Sequence, residues 1–213
     1  MTTTHYSAFE ERLHALTHGI GALLSILALV LMLMMSLQHG DNWHLISSLV
    51  YGSSLILLYS SSTLYHAISA TAIKRRLRQL DHAAIFILIA GTYTPFTLIN
   101  LRDSWGFPLF SLIWLVAIVG VVIELATGLK YKKLSLSLYL GMGWLVIVAI
   151  QPMLQNVATG GLLLLLAGGL SYSVGVIFYA WKRLYLHHVI WHMFVLGGSV
   201  LHFFAVYCYV LSE

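Results

Sequence analysis

The chain has 213 residues, of which 60% are hydrophobic and only 8% charged. A soluble domain carries about 25% charged residues, so this composition excludes a chain dressed for water. The net charge of +4 sits in short basic clusters between apolar runs, which excludes a nucleic-acid-binding face. Cys208 is the one cysteine, so an internal disulfide and a Cys-based metal site are excluded too.

Apolar runs fall at residues 16–37, 44–68, 82–101, 106–125, 134–154, 161–181 and 189–211. A helix crosses the hydrocarbon layer in about 20 apolar residues, so each run is long enough to span. The expected fold is all-α: a single integral membrane domain over residues 1–213, built as a bundle of seven transmembrane helices. The first run is too long for a signal-peptide core and reads as a retained helix. The second is rich in serine (Ser47, Ser48, Ser53, Ser54, Ser60, Ser61, Ser62), as suits a helix facing other helices. Asp81 opens the third run, and Pro95 predicts a kink within it. Glu124 ends the fourth, placed to pair with Lys130 or to line the bundle. Glycines at 19, 21, 141, 143, 168, 169, 197 and 198 predict close helix approaches. Short connections make consecutive helices antiparallel neighbours.

Orientation follows from Lys and Arg. Of 11 such residues, Arg102 alone falls in the first, third or fifth connection. The others are Arg12; Lys74, Arg75, Arg76 and Arg78; Lys130, Lys132 and Lys133; and Lys182 and Arg183. Positive segments stay inside, so the N-terminus is expected in the cytoplasm and Glu213 on the far side.

Eleven histidines in so apolar a chain call for a reason, because ionisable groups at membrane depth are costly and usually functional. His14, His18, His66, His82, His187, His188 and His192 map to one leaflet, at the inner ends of helices. His188-Val-Ile-Trp-His192 has the sharpest spacing. Four residues on a helix turn two side chains to about 40° apart, which suits a pair of metal ligands. His66 lies at matching depth and supplies a third. Three neutral imidazoles and a water make an open zinc site, and Asp81 at the same depth is a suitable base for that water. Ser62 lies one turn from His66 on the same face. The blander readings are interfacial histidines, a helix-capping Asp81 and a Ser62 bonded to its own backbone. Convergence on one leaflet favours the site. Glu11, His14 and His18 share a helix face if the first helix extends back that far, and could form an entrance or outer layer. His202 sits about 80° off the His192 face and is left out.

The segments EERLHALTHGIG around His14 and His18, STLYHAI around His66, LDHAAIFILIAGTYTPF around Asp81, and HVIWHMFVLGGSVLHF from His188 resemble the hemolysin III family. These are the bacterial members of the progestin and adipoQ receptor group. The resemblance covers nearly the whole chain. It implies seven helices, a cytoplasmic N-terminus, the cytoplasmic (inner) membrane, and Zn2+ held by His66, His188 and His192 near the inner leaflet, with Asp81 as the motif aspartate. An Asn is common in the family pattern where this chain has His14, which leaves the three ligands intact. The group is also similar to alkaline ceramidases, which cleave a lipid amide at a comparable zinc site.

Three function classes follow. The leading one is a hydrolase acting on an amide or ester of a membrane lipid, with Asp81 and Ser62 as catalytic candidates. The second is a non-enzymatic receptor or regulator of lipid state, stapled by zinc. The third is a channel or cytolysin. A channel needs charged rings or polar stripes at mid-membrane, and these are sparse.

Overall fold

A computed structural model describes residues 6–212; Glu213 lies outside the described residues. Among them, seven helical segments are long and apolar enough to cross a membrane. The first is helix α1, Ala8–His39. It starts ahead of the apolar run because Ser7 and Glu10 form a capping box: Ser7 Oγ accepts from the Glu10 N–H while the Glu10 carboxylate accepts from the Ser7 N–H at 2.9 Å. Helix α2, Asn42–Ala67, opens on Asp41, whose Oδ1 accepts from the N–H groups of Trp43 and His44. Helix α3, Thr71–Pro95, begins well before the apolar run.

That early start changes two sequence expectations. Lys74, Arg75, Arg76 and Arg78 sit on the first turns of α3, not in a connection. Asp81 lies about three turns past the Ala70 cap, so it does not cap the helix. Past Pro95 the third span continues as a π-helical turn, Phe96–Asn100, and a second such turn, Arg102–Gly106, leads into α4, Phe107–Thr127. Proline removes one ladder donor, and the wider turns take up the change: Leu101 N–H donates to Phe96 O at 2.9 Å, and Gly106 N–H to Leu101 O at 2.7 Å.

The fifth span is broken into α5, Lys132–Gly143, a 3₁₀ segment Leu145–Ala149, and α6, Ile150–Asn156. Backbone groups freed inside hydrocarbon need partners, and Tyr93 of α3 supplies them. Its hydroxyl donates to Met142 O at 2.8 Å, lies 3.2 Å from Gly143 O, and accepts from the Val146 N–H at 2.8 Å. Helices α7, Thr159–Ala180, and α8, His187–Tyr209, complete the bundle.

Helix α1 packs on α2, α2 on α3, α3 on α4, and α7 on α8, while α1 against α8 closes the ring. Met32, Tyr51, Tyr59 and Phe86 are wholly buried. Leu23 and Leu37, 70% and 73% exposed, face outward, as expected where lipid is the solvent. The serines of α2 are largely buried, Ser47, Ser48, Ser54, Ser61 and Ser62 among them, though Ser53 is exposed. Gly21, Gly168 and Gly198 leave no room for a Cβ against Tyr59, His202 and Tyr172. Gly141 and Gly143 have open space around them and mark the break in the fifth span, not a helix contact.

Candidate metal centre

The amino ends of α1, α3 and α8 and the carboxyl end of α2 meet at one end of the bundle. There His14 and His18 of α1, His66 of α2, and His188 and His192 of α8 form one imidazole cluster. Ring centroids are 4.6 Å apart for His188–His192, 5.3 Å for His66–His192 and 5.4 Å for His66–His188. Each of these three offers a nitrogen within 4.8 Å of the other two. Nitrogens bound to one tetrahedral zinc stand about 3.3 Å apart, so side-chain shifts of roughly an ångström would gather them on an ion.

Hydrogen bonding fixes which nitrogens remain free. His66 Nδ1–H donates to Glu11 Oε2 at 2.6 Å, and Lys74 Nζ holds the other oxygen at 2.9 Å. His66 Nε2 is then a lone-pair nitrogen, buried and without a hydrogen-bond partner. Thr17 spends its hydroxyl proton on Leu13 O and His14 O, at 2.9 and 3.0 Å. Its oxygen therefore accepts from His192 Nδ1–H at 3.1 Å, leaving His192 Nε2 as the acceptor. His188 Nδ1 is buried and unpartnered as well. A buried ring nitrogen without a partner costs about 1–3 kcal/mol, and a cation held by the three rings would satisfy His66 Nε2. Ligand histidines characteristically donate their second nitrogen to a carboxylate, carbonyl or water; Glu11 and Thr17 fill that role here. Three imidazoles suit zinc, so the residues present fit the ion that the resemblance implies.

Beside the cluster lies a cavity of about 170 Å³ lined by His188, His192, Asp81 and Ser62, and continuing between α3, α5, α7 and α8 past Leu88 to Trp144. That exceeds the ~150 Å³ that accepts a benzene-sized guest. The Asp81 carboxylate is 3.6 Å from His82 Nδ1, and its side chain is 14% exposed. His66 contributes to the ligand set but not to the cavity wall. Ser62, on the same helix, does line the wall and is 1% exposed.

Glu11, which the sequence reading left as part of an entrance, holds His66 directly. His14 and His18 join the cluster, with His18 stacked on His192 at 3.5 Å. Tyr6 and Thr17 are additions. Tyr6 covers the outer side, its ring 4.7 Å from His14 and 5.2 Å from His188. Only spacing could have pointed to Thr17, one turn from His14 on the same helix. His202 stays out of the ligand set: its Nε2 bonds Leu165 O at 3.1 Å, at the cavity's far wall. Glu124 is 1% exposed and neither of its oxygens has a hydrogen-bond partner, so of its two expected placements the structure has it inside the bundle, and the Lys130 pairing is absent among the described residues.

Comparisons with known proteins agree on one family. The description Haemolysin-III related matches residues 6–203. Hemolysin-3 of Bacillus cereus is 48% identical over 95% of this chain and 92% of its own length. The Hemolysin-3 homolog of Bacillus subtilis (strain 168) is 46% identical over 95% of each. The human monocyte to macrophage differentiation factor is 32% identical over 96% of this chain and 86% of its own. With the match running from before α1 into α8 and taking in every histidine of the cluster, the chain belongs to the Haemolysin-III related family of multi-pass membrane proteins.

Proposed function

We propose that this chain is a zinc-dependent hydrolase of a lipid amide or ester, sited in the cytoplasmic membrane with its N-terminus in the cytoplasm. One observation carries the reading: the cavity beside the imidazole cluster is walled by Asp81 and Ser62 at the histidine end and continues past a mostly apolar lining, Leu58, Leu88, Ile89 and Val195 among it, broken by a few polar groups such as Thr92, Ser173 and His202. A lipid carbonyl can sit among polar groups there while its chain lies in hydrocarbon.

His66, His188 and His192 would hold the ion, with Glu11 and Thr17 keeping two of the rings in the ligating tautomer. When bound, zinc supplies Lewis acidity and acidifies water at neutral pH. Asp81 takes the proton from the attacking water as its oxygen bonds to the carbonyl carbon. It returns that proton to the departing nitrogen or oxygen as the scissile bond breaks. Ser62 donates a hydrogen bond to the carbonyl oxygen and orients it. Leu88 and neighbouring side chains exclude bulk water.

The test uses purified wild-type chain and Asp81→Asn, with zinc content, thermal stability and cleavage of fluorescent ceramide and acyl-ester lipids measured on the same samples. Expected is zinc-dependent cleavage by wild type and at least a 100-fold loss in a zinc-replete, stable Asp81→Asn chain, in line with removal of a general base. Equal cleavage by both proteins would overturn the role of Asp81. Zinc bound by wild type without cleavage of either lipid class would favour the zinc-stapled regulator instead.

A further inference from the structure

His14 is not explained by the deep ligand set. It is 0% exposed, and both of its ring nitrogens are buried without a hydrogen-bond partner. Its ring lies 4.6 Å from His66 and 4.7 Å from His188. Yet the donor atoms that converge with it belong to a different trio: Glu11, His14 and His66 each place one ligating atom within 4.8 Å of the other two. The two trios share only His66, and its two nitrogens face opposite ways, Nδ1 towards Glu11 and Nε2 unpartnered.

We infer that Glu11, His14 and His66 form a second divalent-metal site on the outer side of the deep set. One carboxylate and two imidazoles suit zinc, cobalt or nickel, and the carboxylate offsets half the charge of the ion. The Glu11 side chain is 21% exposed, so this site opens to the bundle end while the deep set faces the cavity. Binding here alone moves the His66 proton from Nδ1 to Nε2, with no net proton change. Filling both sites leaves His66 as a bridging imidazolate and releases one proton. Lys74, on Glu11 Oε1 at 2.9 Å, competes with the ion for the carboxylate. The inference does not require the deep set to hold metal.

The full chain in detergent is titrated with Co(II), read by its visible d–d absorption. A His188→Ala/His192→Ala chain lacks the deep pair. It is expected to bind one cobalt, with affinity at least tenfold lower once His14→Asn is added and higher once Lys74→Met is added. Folded double-variant chain that takes up no cobalt, or binding that ignores His14→Asn, overturns the second site. Should the double variant lose its helical circular dichroism, the comparison is wild type against His14→Asn at saturating cobalt: one ion fewer in His14→Asn supports the site, and equal numbers overturn it. A single ion retained by His14→Asn reports on the deep set separately, so the two readings can fail independently.

Discussion

The Glu11 carboxylate and the His66 imidazole meet at 2.6 Å, tying the first turn of α1 to the last turn of α2 across 55 residues of sequence. Lys74, from the start of α3, closes on the same carboxylate. Three helices are thus pinned together by the group that sets the tautomer of one candidate ligand.

Glu11→Gln weakens this hold and leaves the volume nearly unchanged. Loss of such a carboxylate partner lowers metal affinity by about 10–100-fold. Chelator competition measures it, best in a His14→Asn background so that only the deep set is read. Unchanged affinity would mean that Glu11 does not orient His66.

Orientation is read by labelling. With Cys208 replaced by Ala, a cysteine at Asp103 should react with a membrane-impermeant maleimide on intact cells, since that side chain is 97% exposed in the third connection. A cysteine at Arg183 should react only after permeabilisation. The reverse pattern would invert the proposed orientation and place the imidazole cluster at the opposite membrane face.

Gly21→Ala drives a methyl into the ring of Tyr59, where a Cβ has no room. Overpacking typically costs about 1–3 kcal/mol. Tyr59 also donates to Ser199 Oγ at 2.7 Å, so the strain passes from the α1–α2 contact to α8. A lowered midpoint of thermal unfolding in detergent is expected; an unchanged midpoint would show that the ring moves aside freely.

Asp41, between the first two spans, has its carboxyl lowered from 3.8 to about 2, first by the His44 side chain and then by the backbone N–H groups of His44 and Trp43. A depressed pKa contributes stability that is present above the unfolded value and is lost as pH falls through the folded one. Asn remains a good cap, so Asp41→Asn isolates the charge. The stability gap between wild type and Asp41→Asn should close as pH falls from about 4 towards 2. A gap that widens as pH falls through that window would contradict the assignment.

Much of the bundle is legible in hydropathy alone, because lipid as solvent demands long apolar helices and little else. Helix starts lie ahead of the apolar runs where polar residues continue a helix beyond them. The Ser7–Glu10 capping box and the basic first turns of α3 both lie outside the apolar runs. Spacing and depth point to His66, His188 and His192 as a candidate trio, and the structure brings a nitrogen of each within 4.8 Å of the other two. Neither points to the partners of those rings. Glu11 and Thr17 reach them through the rotation of α1 against α2 and α8, which sequence spacing does not encode. The break in the fifth span is not legible in sequence, because Gly141 and Gly143 read equally well as packing residues.

Tyr93 turns that break into a demand for a single atom. Its ring carbons could be supplied by Phe at no loss of contact, and by ordinary measures of residue similarity the exchange is among the mildest. Here the phenol oxygen serves Met142 O and the Val146 N–H together, within a span long and apolar enough to cross a membrane. Each group abandoned in hydrocarbon costs several kcal/mol. A change that looks neutral in any table of substitutions therefore removes two backbone partners at once, and position 93 selects for an oxygen as well as for an aromatic ring.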